Sequence, residues 1–81
     1  MNNRVLVRWH DARLFPDTYS ADEVRNLEMS EFETVGYLLS RDSKTTKLAS
    51  EHDNEGRHRN IILIPNGSII SIRRLFLGSF M

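Results

Sequence analysis

Residues 60–75, NIILIPNGSIISIRRL, decide how the rest of the chain is arranged. Ile61 to Ile64 form one apolar run, Pro65-Asn66-Gly67-Ser68 interrupts it, and Ile69 to Ile72 form a second. β-Branched runs of this length around a Pro/Asn/Gly/Ser cluster predict two strands joined by a tight turn. Helix is disfavoured because Pro65 and Gly67 break any 3.6-residue periodicity. If the two strands pair across the turn, Arg57 and Arg59 meet Arg73 and Arg74 at the same end of a hairpin. Four guanidinium groups there would suit phosphate or an acidic protein surface. Ion pairing with Glu51, Asp53, Glu55 or the acidic N-terminal half is an equally good reading.

Working back from this stretch, Arg4 to Trp9 alternates as a first strand. It places Val5, Val7 and Trp9 on one face and Arg4, Arg8 and His10 on the other. The segment from His10 to Tyr19 is irregular, with a turn at Phe15-Pro16-Asp17. Ser20 followed by Glu23 has the form of a capping box, and a short helix is expected from Ala21 to about Leu27. So short a helix needs packing, for which Val24 and Leu27 are the candidates. Glu31 to Ser40 reads as the second strand, with Phe32, Val35, Tyr37 and Leu39 as candidate core residues. Gly36 within it suggests a bulge or sharp bend. Lys44 to Ser50 is the third strand, and Glu51 to His58 is a polar loop around Gly56. Ile61 to Ile64 lacks alternation, so both of its faces call for cover, most readily from another copy of the chain. The apolar tail, Leu75 to Met81, either packs over an open end of the domain or meets another subunit.

Eighty-one residues make one domain, and the chain contains no Cys. A disulfide framework and a thiolate metal site are therefore excluded, as expected of a protein of a reducing cytoplasm. The start of the chain has no signal-peptide character and no segment is long and apolar enough to span a membrane. Eleven basic residues balance eleven acidic ones. Residues 1–40 hold four Arg against seven Asp/Glu, and residues 41–81 hold seven Lys/Arg against four. This dipole would orient a partner or favour head-to-tail self-association, unless it is chance unevenness on a solvated surface. The expected architecture is mainly β: a small, partly open five-stranded barrel with one short helix after strand 1.

Two further groups are candidate sites. Trp9, His10, Asp11, Arg13, Phe15 and Tyr19 gather aromatics and polar groups suited to stacking on a base or nucleotide. Equally, Trp9 and Tyr19 would close one end of a small core, which is the simpler reading. His52, His58 and the acids between them have the donors for a divalent transition metal, but in no known ligand spacing. They read first as a solvated hairpin loop.

From Gly36 onward the chain resembles the Sm-like (SH3-like) small barrels. Gly36, Leu38 and Asp42 match the spacing of their first motif, and Ile62 to Ile72 is similar to their second. The resemblance implies a ring-forming oligomer that binds single-stranded RNA or DNA. The chain differs at the residues that shape the base pocket, with Arg41, Thr45-Thr46 and Asn66-Gly67 in their place. The whole pattern also resembles short proteins of bacteriophage and prophage genomes. Its carriers are Val7-Arg8-Trp9-His10-Asp11, Val35-Gly36-Tyr37-Leu38, Ile64-Pro65 and Ile69 to Leu75. That likeness implies an accessory role in the host cytoplasm.

No acid–base pair or activated nucleophile is identifiable, so a non-enzymatic binding module is expected. It would capture a host protein partner or sequester a small anionic ligand such as a nucleotide, without a cofactor. Trp9, His10, Tyr19, Arg57, Arg59, Arg73 and Arg74 are the candidate ligand-binding residues.

Overall fold

The computed structural model describes residues 3–76. Five antiparallel strands form one sheet: β1 (Arg4–Asp11), β2 (Ser30–Arg41), β3 (Thr45–His52), β4 (His58–Pro65) and β5 (Ile69–Arg74). A helix, α1 (Ala21–Arg25), lies between β1 and β2. The strand order is β4-β3-β2-β1-β5. The expected β4–β5 hairpin does not form. Pro65 to Ser68 is a crossing: Asn66–Ser68 make one 3-10 turn, after which β5 pairs with β1 on the opposite edge.

This connection constrains the shape of the sheet. Four Cα steps from Pro65 to Ile69 span at most ~14 Å. Outer strands of a flat five-stranded sheet would lie ~19 Å apart. The sheet must therefore curl so that the end of β4 approaches the start of β5, although the two edges do not pair and no closed barrel results.

The core lies on the face where Val5 and Val7 project from β1, as their alternation predicts. Val7, Leu48 and Ile64 are fully buried and Val5 nearly so, with Trp9, Leu38, Ile62, Ile69 and Ile72 packed around them. In β2 the inward positions are Thr34, Gly36 and Leu38, which the register sets beside Val7, Val5 and Leu48. Phe32 and Val35, expected in the core, are 46% and 53% exposed. Phe32 shares the inward face and packs on Trp9, Val35 points outward, and the Thr34 and Gly36 between them carry almost no apolar signal for the inward face.

Gly36 is needed for close approach and not for a bulge. A Cβ placed there would lie 2.9 Å from the Ala49 carbonyl oxygen and 3.2 Å from Leu48 Cβ. The bulge in β2 comes later, where Leu38 pairs with Leu48 and Ser40 with Lys47, leaving Leu39 as the extra residue. A second irregularity lies in β5, where Arg8 pairs with Ser71 but Trp9 with Ile69.

A polar clasp holds the crossing. Asn66 accepts a 2.7 Å hydrogen bond from the buried Thr46 hydroxyl and donates through its Nδ2 to the Asp42 carbonyl. Its backbone N–H donates to Lys44 O. The 3-10 turn is thereby tied to the β2–β3 turn, where the Asp42 carboxylate accepts from the Lys44 and Thr45 amides. Replacing Asn66 by alanine strands the buried Thr46 hydroxyl, and a loss of about 1–3 kcal/mol is expected in urea unfolding. Thr46→Val with Asn66→Ala should recover part of it, because both partners are then apolar.

The Ser20 capping box is present in both directions, Glu23 N to Ser20 Oγ and Ser20 N to Glu23 Oε1. The helix it starts buries no residue, and Val24 is 54% exposed. Capping and the Arg25–Asp22 ion pair therefore hold this element, not the packing expected of Val24.

Candidate functional site

β2 leaves β3 at the Tyr37–Ala49 pair, while β3 and β4 continue together to His52–His58. Residues 50–60 thus form a two-stranded ribbon beyond the main sheet. The polar loop expected over Glu51–His58 is shorter: its end residues are strand residues, and Asp53 to Arg57 alone make the turn. Gly56 takes φ +80° there, where a side chain would be strained. Asp53 organises the turn, with its Oδ1 accepting from the Glu55 and Arg57 amides and its backbone N–H donating to Arg57 O.

Within β4, Asn60 has φ +59°, the left-handed region. Asn tolerates this conformation better than other non-glycine residues, and a β-branched residue tolerates it poorly. Asn60→Val is expected to cost about 1–2 kcal/mol, and Asn60→Gly to be neutral or slightly stabilising. Paired urea melts distinguish the two.

A row of rings runs from Tyr37 to the last strand pair before the ribbon's turn, His52–His58. Tyr37 meets His52 edge-on with centroids 4.6 Å apart, and His52 lies 6.4 Å from His58. The Arg4 guanidinium sits 5.4 Å from the Tyr37 ring centre. Two shallow clefts adjoin this row and share both histidines. One, of about 390 Å³, is lined by Glu51, His52, Asp53, Arg57, His58 and Arg59. The other, of about 310 Å³, is lined by Asn3, Tyr37, Leu38, Leu39, His52 and His58.

Arg57 and Arg59 face the first cleft, yet each is engaged by carboxylate. Arg57 bridges Asp53 at 2.7 Å and Glu55 at 2.9 Å, and Arg59 pairs with Glu51 across the strands. Arg73 and Arg74 lie on the other edge, opposite Leu6 and Val5 of β1. The four-arginine cluster depended on the β4–β5 hairpin, and its basis falls with that hairpin.

The aromatic segment is likewise divided. Trp9 turns to the core side, with its ring 5.4 Å from Phe32 and its Nε1 donating to Thr34 Oγ1 at 2.9 Å. His10 belongs to the opposite face of β1, 3.8 Å from Glu31. Arg8 shares that carboxylate at 2.6 Å and approaches Glu33 at 3.8 Å. Tyr19 packs edge-on against Phe15, over which Arg13 lies. Trp9 thus closes the core, and the segment presents no single stacking platform.

Five carboxylates are held below their ordinary pKa range by donors around them. The Arg8 side chain acts on Glu31, the Arg59 side chain on Glu51, and the Arg57 amide on Asp53. The Lys44 and Thr45 amides act on Asp42, and the Ser20 amide on Glu23. A depressed folded value means the stabilisation is complete above the unfolded pKa, about 4. It is lost as pH falls through the lower folded values. The thermal midpoint should therefore drop steadily from about pH 5 towards pH 2, as calorimetry would show. A midpoint flat over that range would contradict these contacts.

Tyr37 is not among the expected binding residues, and His52 and His58 are expected only as candidate metal donors in a solvated loop. The only signal for them was two histidines flanking a glycine-containing loop, and nothing local shows that they pair. Among the described residues, no helix is long and apolar enough to cross a membrane. Comparison with protein-family models, with curated proteins and with solved structures finds no match.

Proposed function

We propose that this chain is a non-enzymatic binding module that captures a protein partner through the outer edge and outward face of β4. The observation that carries this is the state of that strand. β4 pairs only with β3, leaving one row of its backbone groups without a strand neighbour. On it, Ile61 and Leu63 remain 46% and 56% exposed although both are large and apolar. An extended partner segment added to such an edge gains main-chain hydrogen bonds for affinity and side-chain contacts for specificity. The neutralised Arg57 and Arg59, separated from Arg73 and Arg74, make sequestration of a small anion the weaker form of the same role.

The finer fold we infer is an open SH3/Sm-like barrel, supported by the curl that the 65–69 connection imposes and by the β5–β1 pairing. Gly36, Leu38 and Asp42 then serve the framework as a close-approach glycine, a core residue and a turn acceptor. An oligomeric single-stranded nucleic-acid binder is the rival within that fold. A host-cytoplasmic accessory role belongs to the same proposal.

The test compares pull-downs by wild type, Ile61→Lys/Leu63→Lys and Arg57→Gln/Arg59→Gln from a host extract at low and high salt. Salt-resistant capture lost only in the Ile61/Leu63 variant supports the protein-binding role. Nucleic acid captured at low salt, released at high salt and lost in the arginine variant would replace it with the rival.

A further inference from the structure

The geometry points to a metal-binding site at the His52/His58 pair. We infer that these two imidazoles chelate one late first-row divalent ion, with water completing its coordination. The register sets His52 directly opposite His58 on β3 and β4. Asp53 and Arg57 are the neighbouring hydrogen-bonded pair, which makes 52/58 the alternate kind, in which facing side chains stand closest.

The ring centres are 6.4 Å apart. An ion ~2.0–2.1 Å from one nitrogen of each ring would hold the centroids roughly 4.5–6.5 Å apart, depending on the N–metal–N angle. The observed separation lies at the wide end of that span, near a trans N–metal–N arrangement, and a tetrahedral angle would need the rings to close by about 1 Å.

The His52 Nδ1 lies 3.3 Å from the Asp53 carbonyl oxygen, which can only accept, a contact that favours the tautomer with the proton on Nδ1 and the lone pair on Nε2. Fixing one ring nitrogen by a backbone carbonyl so that the other can ligate is the usual outer-shell arrangement of metal-binding histidines. Tyr37 supports the ring edge-on from the other side. Both histidines are exposed and both border the clefts, so an ion can reach them. Arg57 and Arg59 do not repel it strongly, since Asp53, Glu55 and Glu51 offset their charge.

Among the described residues, no three His, Asp or Glu side chains converge as a closed metal site would require. Two imidazoles and open positions instead suit Cu²⁺ first, then Ni²⁺ and Zn²⁺. An ion bridging β3 and β4 here would brace the ribbon beside the β4 edge.

The test is titration of the full-length chain, free of any histidine tag, with Cu²⁺ and separately Ni²⁺ by calorimetry and by thermal melting. His52→Gln, His58→Gln and His10→Gln are measured alongside. The site predicts one Cu²⁺ per chain, a Cu²⁺ resonance spectrum showing two nitrogen ligands, and a metal-induced rise in Tm. His52→Gln and His58→Gln should each lower affinity at least about tenfold and abolish the rise in Tm, with metal-free Tm unchanged. His10→Gln should bind as wild type. Equal binding by the His52 and His58 variants, or no saturable binding by wild type, would overturn the site. Neither result bears on partner capture by Ile61 and Leu63, which is read without metal.

Discussion

Replacing Ile64 by alanine is expected to cost about 2–5 kcal/mol, the largest effect of any single truncation considered. Ile64 is fully buried and pairs with Thr46. It stands one residue before the crossing to β5, where the curled sheet brings its two edges together. Removing its side chain takes apolar contacts from the cluster it forms with Val5 and Val7 of β1 and Leu48 of β3. The Asn66 clasp fixes the turn beside it, which limits collapse into the space left. A fold of this size has only about 5–10 kcal/mol in total, so the variant should unfold at a much lower urea concentration. Leu63→Ala, one residue away but 56% exposed, should cost less than about 1 kcal/mol. Urea titration of the pair separates a buried from an exposed neighbour on the same strand. Similar losses for both would mean that β4 is covered on both faces.

The second large effect is expected at Gly36. Alanine there must accommodate a methyl 2.9 Å from a backbone oxygen, and that oxygen belongs to β3, which pairs on both sides. The neighbour cannot rotate away as a flexible side chain would. Gly36→Ala should destabilise by about 1–3 kcal/mol and Gly36→Val by more, through overpacking. Gly67, with no atom within 4 Å of its would-be Cβ and no left-handed φ, should accept alanine with little change. Chemical denaturation of the three variants reads the contrast directly. Gly36→Ala at wild-type stability would show that β2 and β3 are further apart than described.

These contrasts also show which parts of the fold the sequence makes legible. Alternation in Arg4–Trp9 identifies both the strand and its core face, because Val5 and Val7 differ sharply from Arg4 and Arg8. Ser20 and Glu23 announce their helix with a mechanism attached. The Pro65–Ser68 cluster announces a turn, but its composition suits a hairpin and a 3-10 crossing alike. What decides between them is the open edge of β1, some sixty residues earlier, and no local signal carries that. The arginine cluster rests on that pairing, and the pairing does not form. Ile61 to Ile64 shows the converse: its missing alternation calls for cover on both faces, whereas the structure leaves Ile61 and Leu63 exposed. Their exposure now carries the functional proposal. His52 and His58 stand out in the sequence as metal donors, but their facing register does not, because composition does not mark where strands end in loops.

β4 has one paired and one open side, and amide hydrogen exchange of the free protein, read residue by residue, tests this most directly. Alternate amides between Ile61 and Ile64 should exchange slowly, protected by β3, while those between them exchange quickly. β3 from Thr46 to Ala49 and β1 from Val5 to Trp9, which pair on both sides, should be protected throughout. Uniform protection along β4, matching β3, would mean that its outer edge is already covered by β5 or a second copy. The proposed capture surface would then not exist in the free protein.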